Sequence, residues 1–150
     1  MNVLFRLAYR CAYAAARVWW FVRRPRTLGA MVALWSDGQL LLVRSSYRDR
    51  YYSLPGGFVK RGETPREAAA RELAEELHVS VPAGVLGLAW QGSVRFEHRD
   101  DAITVWEVRI DSRPTIRVDG REIVWAGWKT PAEARTLRLL PHLHQYLASR

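Results

Sequence analysis

Apolar and polar residues recur with two different periods along this chain, and the changes of period mark its elements. Residues 1–24 contain neither Gly nor Pro and read as a helix. Arg6, Arg10, Arg17 and Arg24 fall within roughly 40° of one another on its wheel, a narrow basic stripe on an otherwise apolar circumference. Pro25, between arginines, breaks the helix. Residues 27–35 form an apolar run that predicts a strand, and Ser36-Asp37-Gly38 predicts a hairpin turn. Residues 39–46 return as a buried strand through Leu40, Leu41, Leu42 and Val43, and residues 47–52 follow as a polar loop. Further on, 85–96 and 102–110 predict paired strands around an acidic loop at 97–101. Residues 115–118 and 121–128 flank a second hairpin signal, Asp119-Gly120. Thr130-Pro131-Ala132-Glu133 starts a short capped helix, and 137–149 make a last helix with Leu139, Leu140, Leu143 and Leu147 inward. The pattern divides the chain into an N-terminal amphipathic helix, 1–24, and one mixed α+β domain, 25–150.

The most informative helical stretch lies between the second strand and the later ones. Thr64 caps it, Pro65 suits its first position, and Glu67 completes a capping box. Ala69, Ala70, Leu73 and Leu77 form the stripe that should face the core. Glu72, Glu75 and Glu76 share an arc roughly 100° wide beside that stripe. Like charges at this spacing repel by a few tenths of a kcal/mol per pair, and a cation bound between them offsets the cost. Hard oxygen ligands suit Mg²⁺ or Mn²⁺. Pro55-Gly56-Gly57 puts bare backbone beside the acidic face, where a carbonyl can join a metal shell. A glutamate run alone is more often a solvated face. The glycines, the capping box and Arg71 at fixed offsets set this one apart.

On these residues, 57–79 resembles the Nudix hydrolase family. The family's box reads G, five residues, E, seven residues, then R-E-U-x-E-E-x-G-U, with U aliphatic. Gly57, Glu63, Arg71, Glu72, Leu73, Glu75, Glu76 and Val79 fall on it, and His78 stands where the family has Gly. That Gly usually ends the helix in a left-handed conformation, which His tolerates at some cost. The resemblance implies a mixed β-sheet sandwiched between α-helices, here with an extra N-terminal helix. It implies a pyrophosphohydrolase acting on phosphoanhydride bonds, specifically a metal-dependent hydrolase of a diphosphate linkage in a nucleoside diphosphate joined to another moiety. Glu72, Glu75 and Glu76 are then the metal ligands, with the Gly56 carbonyl added. Arg71 orients Glu72, and Glu63 pairs with Arg71 to brace the loop. The general base is Glu72 or a later acid among Glu97, Asp100, Asp101 and Glu122, with Glu97 and Glu122 preferred. The alternative is a non-catalytic Nudix-fold module that binds nucleotides; three intact glutamates argue against it. No coenzyme A-type or NADH-type signature flanks the box, Arg95 stands where ADP-ribose hydrolases carry proline, and Phe96 lies where dinucleoside polyphosphate hydrolases have a nearby Tyr, a weak match. Trp90, Phe96, Tyr51 and Tyr52 are the candidates for stacking a base.

Charge and cysteine content narrow the setting. A formal net charge of +8 and a pI near 10.4 favour anionic partners. The arginines are spread rather than gathered in a patch and no nucleic-acid motif appears, so no specific nucleic acid is expected. Arg44, Arg48, Arg50, Lys60 and Arg61 surround the box in sequence and are phosphate-binding candidates, each more commonly a solvated charge. Cys11 is the single cysteine, which precludes an intrachain disulfide and agrees with a reducing, cytoplasmic compartment. Arginines interrupt residues 1–24 too often for a transmembrane span or a cleavable signal. The segment is expected to pack on the domain or on a second subunit of a homodimer, to make peripheral membrane contact, or to act in targeting. Because the box and the late acids all follow Arg26, it is expected to be dispensable for the chemistry.

Overall fold

A computed structural model of the protein describes residues 2–150, and its axis is one long strand. β1 (Arg26–Ser36) is buried along most of its length, which explains why its sequence is apolar without clean alternation. It runs parallel to β5 (Arg99–Arg109), with Thr27 opposite Asp101 and Trp35 opposite Arg109. Its other edge pairs antiparallel with β3 (Gly56–Phe58) at Gly29, Ala30 and Met31, and with β2 (Gln39–Ser45) at the hairpin. β4 (Gly87–Phe96) and β6 (Ile123–Lys129) complete the order β4-β5-β1-β2-β6, with β3 attached to β1. The first hairpin turn has Asp37 at φ 49° and Gly38 at φ 72°, the two left-handed residues that such a loop needs.

Each face of the sheet has its own core. On one, Ala30, Val32, Leu34 and Leu41 meet Ala69, Leu73 and Leu77 of α2 (Pro65–Leu77). On the other, Ala33, Trp35, Leu40 and Leu42 meet Ala134 of α3 (Pro131–Arg135) and Leu143, Tyr146 and Leu147 of α4 (Pro141–Ala148). The indole of Trp35 donates to the Tyr146 hydroxyl at 2.9 Å, so the polar atoms of this second core are satisfied. This is the helix–sheet–helix layering that the Nudix resemblance implies. α1 (Asn2–Arg23) lies outside those layers as the extra N-terminal helix. Among the described residues no helix is long and apolar enough to cross a membrane.

Three elements differ from the sequence reading. The last helix begins at Pro141 rather than near 137: Pro141 takes the first helical position, and Leu140 before it is held extended at φ −66°, ψ 149°. The loop expected at 97–101 is only Glu97 and His98, at φ 50° and 66°, and Arg99 already belongs to β5. Residues 115–118 form no strand. Arg117 donates its N–H to the Leu77 carbonyl at 3.2 Å, so this segment closes over the end of α2 instead of joining a ladder. Asp119-Gly120 is accordingly no hairpin: the Asp119 carboxylate accepts the amides of Arg121, Glu122 and Ile123 at 3.2, 3.0 and 2.8 Å and starts β6.

Candidate active site

The acidic face is set by how α2 begins and ends. Thr64 and Glu67 form the capping box reciprocally, the Thr64 hydroxyl accepting from Glu67 N and the Glu67 carboxylate from Thr64 N at 2.7 Å. At the other end His78 adopts φ 57°, ψ 32° and donates its N–H to the Ala74 carbonyl at 3.1 Å. His therefore supplies the left-handed cap that Gly usually provides. Its ring Nδ1 lies 3.0 Å from the Arg117 carbonyl, a contact Gly lacks.

Arg71 ties the helix to the loop before it. Nε and Nη2 donate to the two Glu63 oxygens at 3.0 and 2.7 Å, a bidentate pair. Nη2 also donates to the Phe58 carbonyl at 3.1 Å, and Nη1 to Glu72 at 2.7 Å and Glu75 at 3.1 Å. Arg71 and the Lys60 amide hold the Glu63 carboxyl down at about 2. The guanidinium thus bonds both acids that the resemblance assigned to it.

One cavity of about 380 Å³ opens where β1, β3 and α2 meet. Its acidic wall is Glu72, Glu75, Glu76 and Glu122. Glu76 is buried and accepts the Gly56 N–H at 2.9 Å. Burial, aided by the charges of Glu122, Glu72 and Asp119 against the Gly56 hydrogen bond, drives its carboxyl well above the usual range. Two glycines permit this packing. A Cβ on Gly56, at φ 144°, would stand 2.3 Å from the Ala30 carbonyl, and one on Gly57 would stand 2.6 Å from a Glu72 oxygen. Among the described residues no three acidic, His or Cys side chains gather around one point, because each box glutamate is turned to a protein donor. The donor set nevertheless fits a hard divalent cation: it is all carboxylate, and Glu76 is buried beside other anions.

Another part of the lining is cationic and aromatic: Arg48, Arg99, Tyr47, Tyr51 and Phe96, with the Tyr47 hydroxyl joined to Glu122. Tyr51 and Phe96 meet edge to face at 5.5 Å. Arg99 is buried, pairs with Asp101 at 2.8 Å, and has no partner for its Nε among the described residues. The parallel β1–β5 register puts Asp101 beside Thr27, whose hydroxyl donates to it. His142 closes the floor, buried, with Nε2 3.0 Å from the Ser53 hydroxyl. Burial and the Arg48 charge lower its pKa to about 3, so the ring is neutral.

The candidate bases separate. Glu122 lines the cavity, accepts from the Tyr47 hydroxyl at 2.9 Å, and has its carboxyl raised by burial. Asp101 lines it too but is committed to Arg99. Glu97 does not line it: it pairs with Arg48 at 3.0 Å and accepts from the Tyr13 hydroxyl. Asp100 is bound to exposed Arg95 at 2.7 Å. Tyr52 and Trp90 pack on the second core, away from the role of stacking a base. Of the basic candidates, Arg48 and Lys60 reach the cavity, and Arg44, Arg50 and Arg61 do not line it. Sequence reasoning passed over Arg99, Tyr47 and His142. For His142 only its neighbour Pro141 hints at a fixed position in the sequence.

The model of the NUDIX domain family matches residues 25–148. The fold is similar to a MutT NUDIX hydrolase from Burkholderia pseudomallei, at 21% identity over 82% of this chain and 96% of that one, TM-score 0.73. It is similar also to a C. elegans Ap4A hydrolase, at 17% identity over 81% and 93% of the two chains, TM-score 0.70. An E. coli dihydroneopterin triphosphate pyrophosphohydrolase gives 18% identity over 81% and 92%, TM-score 0.70. With the family's model covering everything from Pro25 to the last helix, this chain belongs to the Nudix family.

Proposed function

We propose that this chain is a divalent-metal-dependent hydrolase of the diphosphate linkage in a nucleoside diphosphate joined to another moiety. Pyrophosphohydrolase activity on phosphoanhydride bonds follows from the family; the metal and the substrate class are what the proposal adds. The observation that carries it is one cavity that gathers Glu72, Glu75, Glu76 and Glu122 with buried Arg99, half-buried Arg48 and the edge-to-face pair Tyr51 and Phe96. Two similar structures are named for hydrolysis of Ap4A and of dihydroneopterin triphosphate, which supports a phosphoanhydride substrate.

Glu72, Glu75 and Glu76, with the Gly56 carbonyl, would hold Mg²⁺ or Mn²⁺, and a bound divalent ion supplies phosphate charge neutralisation and acidified water. Arg71 fixes Glu72 and, through Glu63, the loop that brings Gly56 and Gly57 against α2. Arg48 and Arg99 receive phosphate oxygens, for which planar guanidinium groups are suited. Phe96 and Tyr51 hold a base. Glu122, next to the acidic arc and hydrogen-bonded by Tyr47, takes the proton from the attacking water, and Glu97 keeps Arg48 in place. The test is formation of the nucleoside monophosphate and its co-product, resolved by anion-exchange chromatography, from nucleotide sugars, dinucleotides and nucleoside triphosphates, with Mg²⁺, with Mn²⁺ and with chelator. Turnover of one class that chelator abolishes is expected. Nucleotide binding by calorimetry without turnover of any substrate would instead make the chain a non-catalytic binding module.

A further inference from the structure

α1 is half-buried on the domain along one stripe, with further edge contacts from Phe5 to Arg121 and from Phe21 to His98. Tyr13, Ala16 and Trp20 are its half-buried residues, one helical turn or two apart. The Arg99 guanidinium lies 4.1 Å from the Trp20 ring, Arg48 Nε donates to the Tyr13 hydroxyl at 2.6 Å, and Arg6 donates to the Gly120 carbonyl at 2.8 Å. The opposite arc, about 180° wide, bears only apolar residues and Cys11. Leu4, Val18 and Val22 there are 73%, 68% and 72% exposed. An apolar face this continuous on a water-soluble surface marks an interaction site.

Charge decides what covers it. Arg10 and Arg17 stand at one margin of the bare arc and Arg23 at the other, and no Asp or Glu precedes Asp37. Two copies of α1 laid face to face would bring these arginines together along both seams, with only the exposed Asp49 beside Arg10, at 4.0 Å, as a counter-charge. A layer of lipid phosphates meets both margins with the opposite charge while the acyl region takes the apolar arc. The helix, 22 residues long and too interrupted to span a bilayer, suits a position in the plane of the headgroups. We infer that the outward face of α1 docks this protein on an anionic membrane surface. The inference does not depend on the hydrolase reading. It does place the cavity beside the membrane, because the stripe that holds α1 down rests on Arg48 and Arg99 of the cavity wall.

Sedimentation of the full chain with vesicles tests this, using phosphatidylcholine alone and phosphatidylcholine mixed with phosphatidylglycerol. The chain should pellet with the anionic vesicles and be released by salt. Arg10→Ala combined with Arg17→Ala should weaken binding roughly tenfold or more. Leu7→Asp combined with Val18→Asp should abolish it while the melting temperature and the far-ultraviolet spectrum stay those of the parent. Equal partition to neutral and anionic vesicles, or unchanged binding by the aspartate variant, overturns the inference. So does a dimer in analytical ultracentrifugation that the aspartate variant dissolves, which would give the face to a second copy.

Discussion

Arg71→Lys tests whether the box is held by a fork or merely by a positive charge. The guanidinium makes five hydrogen bonds in three directions: two to Glu63, one each to Glu72, Glu75 and the Phe58 carbonyl. A lysine ammonium donates from a single atom and cannot serve the Glu63 pair, Glu72 and Phe58 together. At least two charge-assisted bonds are lost, each worth roughly 1.5–3 kcal/mol when buried. The Arg71 side chain is 21% exposed, so screening reduces this, and about 2 kcal/mol is the expected net loss. For a chain of this length that lowers the melting temperature by roughly 4–8 °C. Circular dichroism melts of Arg71→Lys, Glu63→Gln and the double variant form a cycle, in which the double variant should melt higher than the sum of the two single losses predicts. In turnover assays kcat should fall more than KM rises, because Glu72 loses its orientation while the cationic and aromatic lining is untouched. A coupling near zero with an unchanged melt would mean that Arg71 is an ordinary surface charge and that the loop is braced by its glycines alone.

Glu72→Gln should lower turnover by about 10²–10⁴-fold, the scale of a lost base and a lower bound for a lost ligand, while the melt without metal stays within about 1 kcal/mol of the parent; an early melt would make Glu72 structural. Leu73→Ala, emptying a fully buried position between α2 and the sheet, should cost about 2–5 kcal/mol in urea unfolding, and a smaller loss would mean the site collapses easily. His142 has a folded pKa of about 3 against an unfolded value near 6.5, so the unfolded chain binds the extra proton, and stability falls as pH drops from about 6.5 towards 3. The full effect is up to roughly 5 kcal/mol, and His142→Gln should flatten the stability profile between pH 6.5 and 4.5; a parallel profile would show that the ring is solvated.

What the sequence made legible was local, and what it hid was assembled at long range. The capping box, Pro65 and the left-handed end of α2 depend on residues a few positions apart, and all appear where the spacing puts them. The His78 departure is instructive: the backbone conformation that Gly usually signals is kept, and the substitution adds a ring contact to the 117 carbonyl. The last helix was misread because leucine periodicity through 139–147 was weighed above Pro141, although a proline constrains its own φ and its predecessor's backbone as well. The turn at Glu97 and His98 carries no glycine, so nothing local announced that the ladder resumes at Arg99. That omission has the largest chemical consequence. Within a loop Arg99 is one more solvated cation among many. At the start of β5, opposite Phe96 of β4, it lies under Trp20, pairs with Asp101 and lines a cavity it shares with Glu76. The same holds for α1. Its expected dispensability rests on which motifs come after residue 26, whereas the contacts that would change on truncation are those of Tyr13 with the half-buried Arg48–Glu97 pair. What a charged residue does in this fold is set by what packs over it, and Tyr13 and Glu97 beside Arg48 and Trp20 above Arg99 lie on elements that no sequence window joins.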